Sequence, residues 1–310
     1  MNFRTKIDIP QNPNPIDYNS KIVSLGSCFA ENMGDKFQYF KFQSTINPYG
    51  IIFNSVSINK IIDRVVNNNL FTEEDVFFHN ERWHCFEVHS DLSHSNATEL
   101  IENLNQILKE TKKQLLEATH VIITYGTSWV YRNIEKDEIV ANCHKVPQKQ
   151  FSKELLSVET IKESITNTID FIQLINPNCS FIFTVSPVRH LKDGFVENQR
   201  SKSHLITAIH NLQSGYFPSY EIMMDELRDY RFYAEDMLHP SQIAIDYIWE
   251  RFKETTISET AYTTIDAVEN IQKGLQHRPF NPHSESHKKF ESNLQSKIAT
   301  LVAQYPFMKF

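Results

Sequence analysis

Four side chains in this 310-residue sequence have the types and spacing for nucleophilic chemistry. Ser27 and Cys28 follow Ile22-Val23-Ser24-Leu25-Gly26, and Asp236 precedes His239 in Asp236-Met237-Leu238-His239-Pro240. A hydroxyl or thiol where a strand turns into a helix is lifted out of a sheet, and the helix N–H groups face the negative charge that develops during attack. An Asp three residues before a His can bond one imidazole nitrogen, fix the tautomer and leave the other nitrogen as a base. Each pattern also has a plain structural explanation: small residues suit any strand-to-helix turn, and an Asp turn with a capping His is common.

The elements that must position these groups follow a strand–helix rhythm. An arm over residues 1–19 carries Pro10, Pro13 and Pro15, which oppose regular pairing. Strands are expected at Lys21 to Leu25, Lys41 to Ile46, Val121 to Tyr125, Ser180 to Val185 and Tyr220 to Met224. Helices are expected at Phe29 to Phe40, after Asn54 or Ser55, at Ala97 to Leu116, Val158 to Ile175, Asn198 to Leu212 and Gln242 to Phe252. Two hairpins interrupt the rhythm, Val76 to Val88 and Trp129 to Ala141, and two helices around a polar linker follow residue 258. Strands alternating with helices imply a parallel sheet covered on both faces, with ligands beyond the carboxyl ends of the strands. The polar turns at 26–28, 47–50, 126–128 and 186–190 all fall at such ends.

Composition narrows the classes. Hydrophobic residues make up 40% and charged residues 22%, enough apolar material for a packed core. A net charge of −7 argues against nucleic acid as the main partner. No apolar run reaches the ~18 residues of a membrane span, and the N-terminus lacks a signal-peptide pattern. Cys28, Cys85, Cys143 and Cys179 form no CxxC pair, so neither a zinc site nor a disulfide framework is expected, and a reducing cytoplasm is the expected setting. The spacing of His79, His84, His89 and His94 likewise supports no metal site.

Gly26-Ser27-Cys28-Phe29-Ala30 is the signature for which the GSCFA family is named, and the chain resembles that family. The family in turn resembles the SGNH (GDSL-like) hydrolases over about residues 20–255. The resemblance implies a three-layer α/β/α, flavodoxin-like fold with hairpin insertions, flanked by the arm at 1–19 and a helical extension at 256–310. It also implies acyl-ester hydrolysis or acyl transfer, often on carbohydrates or lipids, with no cofactor. Aligned on Gly-Asp-Ser-Leu, Cys28 takes the position of the nucleophilic serine, and Ser27 serves only if the turn shifts by one. His239 is the implied base and Asp236 its orienter. Gly50 resembles the glycine whose N–H completes the oxyanion hole. Gly126-Thr127-Ser128 stands where SGNH enzymes have Gly-x-Asn, so Ser128, Asn47 or Asn142 would have to replace the amide donor.

The remaining strand-end groups, Asn142, His144, Lys145, Arg189 and His190, suit the rim of an anionic or sugar-like substrate. The partner implied is a small-molecule or carbohydrate ester, and the C-terminal helices are either a packing element or a homo-oligomer contact. Two other readings stay open: a carbohydrate- or ligand-binding protein on the same fold without chemistry, favoured by the missing Gly-x-Asn amide, and a CoA-dependent acyltransferase.

Overall fold

In the computed structural model of the protein, residues 5–212 and 214–310 are described. The main sheet is built from β1 (Lys21–Gly26), β2 (Gln43–Ile46), β5 (His120–Tyr125), β9 (Ser180–Val185) and β10 (Gly215–Phe217). Among the described residues it has five strands, all parallel, in the order β10-β9-β5-β1-β2. Counted along the chain within this sheet, that order is the flavodoxin-like 2-1-3-4-5. Its topological switch point lies between β1 and β5, where the connections from adjacent strands leave in opposite directions.

Alternation along the strands explains the layers. Val23, Leu25, Val121, Ile123 and Phe183 point to one face and meet α2 (Ser55–Asn67), α3 (Ala97–Glu117), α4 (Val158–Ile175) and α5 (Phe195–His210). Ile22, Ile122, Ile182 and Phe217 point to the other and meet α1 (Cys28–Tyr39) and α7 (Gln242–Thr256). Both faces are apolar because both are covered, as expected of a buried parallel sheet. Within α2, Ile58, Ile61, Ile62, Val65 and Val66 form the buried stripe, and the Asn54 side chain caps the helix through Ser57 N–H at 2.8 Å.

The inserted segments form smaller sheets beside this frame. β3 (Val76–His79) and β4 (Arg82–Cys85) pair antiparallel. β6 (Trp129–Asn133) pairs with β7 (Glu138–Val140) and also with β8 (Phe151–Leu155). The expected second hairpin is therefore a three-stranded sheet. Phe151-Ser152-Lys153-Glu154-Leu155 carries two charges and lacks a clean alternation, so its strand character comes from pairing with β6.

One expected element is overturned. Tyr220 to Met224 is helical, comprising the short α6 (Ser219–Glu221) and a π-helical turn at Ile222–Glu226, whereas the last strand is β10. A short apolar run has no periodicity that separates a buried strand from a buried helix. Pro218 ends β10 and lacks the N–H a ladder would need, while its carbonyl accepts from Ile222 at 2.9 Å.

The extension comprises α8 (Tyr262–Gln276) and α9 (Glu285–Gln304). Ile265, Val268, Ile271, Leu294 and Leu301 join the core on the α1/α7 side of the sheet. The N-terminal arm lies along the end of α7: Asn12 N–H bonds Thr255 O, and Ile16 bridges Ile257. No helix of the described residues is long and apolar enough to cross a membrane.

Trp249 is the largest fully buried side chain, set edge-on to Phe37 at 5.2 Å and stacked on Phe40 at 5.5 Å. Trp249→Ala should destabilise the protein by about 3–5 kcal/mol, because the cavity between α1 and α7 cannot fully collapse. Urea unfolding followed by far-UV circular dichroism measures this loss.

Candidate active site

The signature turn is shaped by a close approach of two backbones. Gly26 has φ +132°, and a Cβ there would fall on the carbonyl of Thr124 in β5. Gly26 N–H donates to Asn47 Oδ1 at 2.8 Å, and Ser27 N–H donates to Thr124 O at 2.9 Å. Ser27 is fully buried and is the N-cap of α1, where its Oγ accepts from Phe29 N–H at 3.3 Å. Cys28 is the first residue of α1, half-buried, and among the described residues its thiol has no hydrogen-bond partner outside its own turn. The two nucleophile candidates therefore occupy different environments: one oxygen caps a helix, and one sulfur stands at the helix mouth.

A depressed thiol pKa is not what this environment produces. Burial raises the Cys28 pKa, and Glu31 one turn along α1 adds to the rise. Lys202 and the N–H groups of Phe29 and Cys28 pull in the opposite direction.

Asp236 and His239 form the expected pair. Asp236 Oδ1 accepts the N–H groups of Leu238 and His239 at 2.9 and 3.0 Å, and Oδ2 lies 2.5 Å from His239 Nδ1. With three donors converging, the Asp236 carboxyl is held down to about 2, first by the His239 and Leu238 N–H groups and then by the imidazole. An ionised carboxylate only accepts, so Nδ1 is the donor in its bond to Oδ2, and in the neutral imidazole Nε2 is the nitrogen with the lone pair. Pro240 lies before the N-cap Ser241 of α7 and bridges Tyr233, so the pair sits in a turn outside the helix. Arg189, expected at the substrate rim, clamps this turn: Nη2 donates to Met237 O at 2.6 Å, and the guanidinium stacks on Tyr233 at 4.3 Å. Met237 itself has φ +59°, a left-handed conformation that such a clamp helps to hold.

No hydrogen bond joins Cys28 to His239; the partly buried His190 interacts with His239 and Lys202, and the fully buried Lys202 interacts with Cys28. His190, expected at the rim, feels Lys202 and His239, and burial, the largest cause, drives its pKa down to about 3. Its Nε2 is buried without a partner, while its backbone N–H donates to Asn198 Oδ1 at 2.9 Å. Lys202 is fully buried and donates to Gly126 O and Ser186 O, both at 2.7 Å. Asn198, Ser201 and Lys202 were not singled out from the sequence. They share the inward stripe of α5 with Leu205, Ala208 and Ile209. A lysine on an otherwise inward-facing stripe was the available signal.

The other expected residues divide between the frame and the surface. Gly50 N–H is committed to Asn47 O at 2.7 Å. Asn47 Nδ2 has only a long bond of 3.4 Å to Glu31. Gly126 abuts the signature turn, since a Cβ there would lie 3.3 Å from Ser27 Cβ. Thr127 Oγ1 bonds Ser201 Oγ at 3.0 Å, and the fully buried Ser128 donates its hydroxyl to Ser201 O at 2.5 Å. Asn142 Oδ1 caps a turn through His144 N–H at 2.8 Å, and Lys145 is exposed. His144 packs among Phe77, His84 and Phe86, bonded to Cys85 O at 2.7 Å, and its pKa is lowered to about 4, chiefly by burial.

Residues 21–252 match the profile of the GSCFA family, and residues 268–310 match that of the C-terminal domain of GSCFA domain proteins. The chain belongs to the GSCFA family. Comparison with curated proteins finds no match. The GSCFA match thus covers the whole sheet together with both candidate groups, the signature turn and the Asp236–His239 turn.

Two expectations follow for this GSCFA protein. Gly26→Ala should cost at least about 2 kcal/mol in unfolding free energy, because it combines a positive-φ backbone with overlap on a main-chain carbonyl; chemical denaturation tests this. His144 is neutral when folded, whereas an unfolded histidine protonates near 6.5. As pH falls from 6.5 to about 4, the unfolded chain gains a proton that the native state does not, so stability falls. His144→Gln should flatten that decline by up to about 1.4 kcal/mol per pH unit, measured by urea titrations across the window.

Proposed function

We propose that this GSCFA protein is an SGNH-like acyl-ester hydrolase or acyltransferase, with Cys28 as nucleophile, His239 as base and Asp236 as orienter. The observation that carries the reading is the Asp236–His239 pair at 2.5 Å. It has a free Nε2 and lies near Arg189, in the loop that leaves β9 at the same sheet edge as Cys28. A binding site alone has no use for an imidazole held in one tautomer.

In the proposed reaction, His239 Nε2 takes the proton from Cys28 Sγ as sulfur attacks the ester carbonyl. The tetrahedral intermediate collapses to a thioester, the C–O bond breaks, and His239 returns the proton to the leaving oxygen. Water or an acceptor hydroxyl then attacks the thioester, giving its proton to His239, and the thiol re-forms. The Cys28 N–H at the start of α1 is the first oxyanion donor, and Asn47 Nδ2, only loosely bonded to Glu31, is the second. Catalytic hydrogen bonds are commonly long in a ligand-free site and tighten when substrate binds, so the open Cys28–His239 pair is compatible with this reaction.

The substrate proposed is a carbohydrate-type or small acyl ester. Exposed Phe195, Tyr230 and Met237 gather around Arg189 beside the pair and suit the acyl portion. A reducing cytoplasm is the setting proposed, since a thiol nucleophile must stay reduced. The second reading, ligand binding without chemistry, is favoured by the internal commitment of Gly50 N–H and the Ser128 hydroxyl, which removes two expected oxyanion donors.

Turnover of short acyl esters decides between them. Cys28→Ala should abolish it, and His239→Ala should lower kcat/KM by about 10²–10⁴-fold. Ser27→Ala should keep turnover while losing about 1 kcal/mol of stability through the lost N-cap. Full activity in His239→Ala would rule out the proposed base, and activity lost only in Ser27→Ala would transfer the nucleophile to that residue.

A further inference from the structure

Lys202 is a fully buried cation that no carboxylate pairs with among the described residues. Its two hydrogen bonds go to Gly126 O, just beyond β5, and Ser186 O, just beyond β9, both at 2.7 Å. An ammonium can donate three hydrogen bonds, and one remains. The ring of Tyr220 lies 5.5 Å from Nζ, and the titratable groups that otherwise interact with it are His190 and Cys28. Around Cys28 the charged groups are Glu31 and Lys202. A buried ammonium without a counter-ion is unfavourable. Gly126, whose carbonyl Lys202 holds, abuts Ser27, so the ammonium lies behind the signature turn that carries the Cys28 thiol, a group able to become an anion and one with which Lys202 interacts.

We propose that Lys202 is a positioning residue for the Cys28 nucleophile, clamping the ends of β5 and β9 behind the signature turn and serving as counter-ion to a Cys28 thiolate. The proposal rests on Cys28 being the nucleophile. Burial drives Lys202 down to about 7 against the opposing pull of Cys28, and burial together with Glu31 drives Cys28 upward, while Lys202 and Cys28 each favour the charged form of the other. When Cys28 gives its proton to His239 Nε2, the thiolate holds the proton on Lys202, and no proton passes between sulfur and amine.

The test reads the thiol directly, without substrate. Iodoacetamide alkylation of Cys28 is followed by mass spectrometry from pH 5.5 to 10 in the full chain and in Lys202→Met. Cys85, Cys143 and Cys179 report whether the fold is intact. The midpoint for Cys28 should rise by at least about one pH unit in Lys202→Met, slowing alkylation at neutral pH about tenfold. An unchanged Cys28 profile in a folded variant overturns the proposal. A second measurement needs no substitution: after capping Cys28 with methyl methanethiosulfonate, the Lys202 resonance in ¹³C-lysine NMR should titrate at lower pH. An unmoved titration also overturns it. Loss of the acyl-transfer reading would show instead as absent ester turnover with the thiol–amine coupling intact.

Discussion

The site depends on the contact between Gly26 and Thr124, where β1 and β5 run side by side at the switch point of the sheet. The Thr124 carbonyl occupies the space where a Cβ would stand, so the chain turns there with a glycine at φ +132°. The same carbonyl takes the Ser27 N–H, and the Ser27 hydroxyl then caps α1. Cys28 is thereby placed in the first helical turn, where unsatisfied N–H groups face a nucleophile or an oxyanion. This one contact, at the carboxyl end of a parallel sheet, buries Ser27 as the cap and leaves Cys28 half-buried beside it.

Around that point, polar groups separate by whether their bonding capacity is already used. Ser128, Thr127 and Ser201 bond one another, Arg189 holds the Met237 carbonyl, and Gly50 closes its own turn. These groups stiffen the rim. His239 Nε2, the Cys28 thiol and His190 Nε2 keep hydrogen-bonding capacity at the same edge, and the buried Lys202 ties the ends of β5 and β9 together there. Stiff surroundings with a few unbonded reactive groups are what electrostatic preorganisation requires.

Strands β1, β2, β5 and β9 and the hairpin pairs β3–β4 and β6–β7 could be read from the sequence, because continuous apolar runs and alternation are local signals. Tyr220 to Met224 could not: five residues with four apolar positions around Glu221 are equally suited to a buried strand and a buried helix. Strand β8 was hidden for the opposite reason, since Phe151 to Leu155 becomes a strand only by pairing with β6. At the site, Asp236 and His239 could be matched because their bond spans three residues. The roles of Arg189 and Lys202 could not, as their partners lie 48 and 76 positions away.

By itself, the amino-acid sequence determined the layered α/β architecture, the glycine turn and the pairing of Asp236 with His239, all set by local periodicity or short spacing. Tertiary structure decided the different surroundings of Ser27 and Cys28, because only the approach of Thr124 makes one the buried cap of α1 and leaves the other half-buried in its first turn. It also converted expected substrate contacts at Ser128, Arg189 and Gly50 into framework bonds. Hydrogen-bonding capacity is consumed by whatever the fold brings near, and that cannot be read one residue at a time.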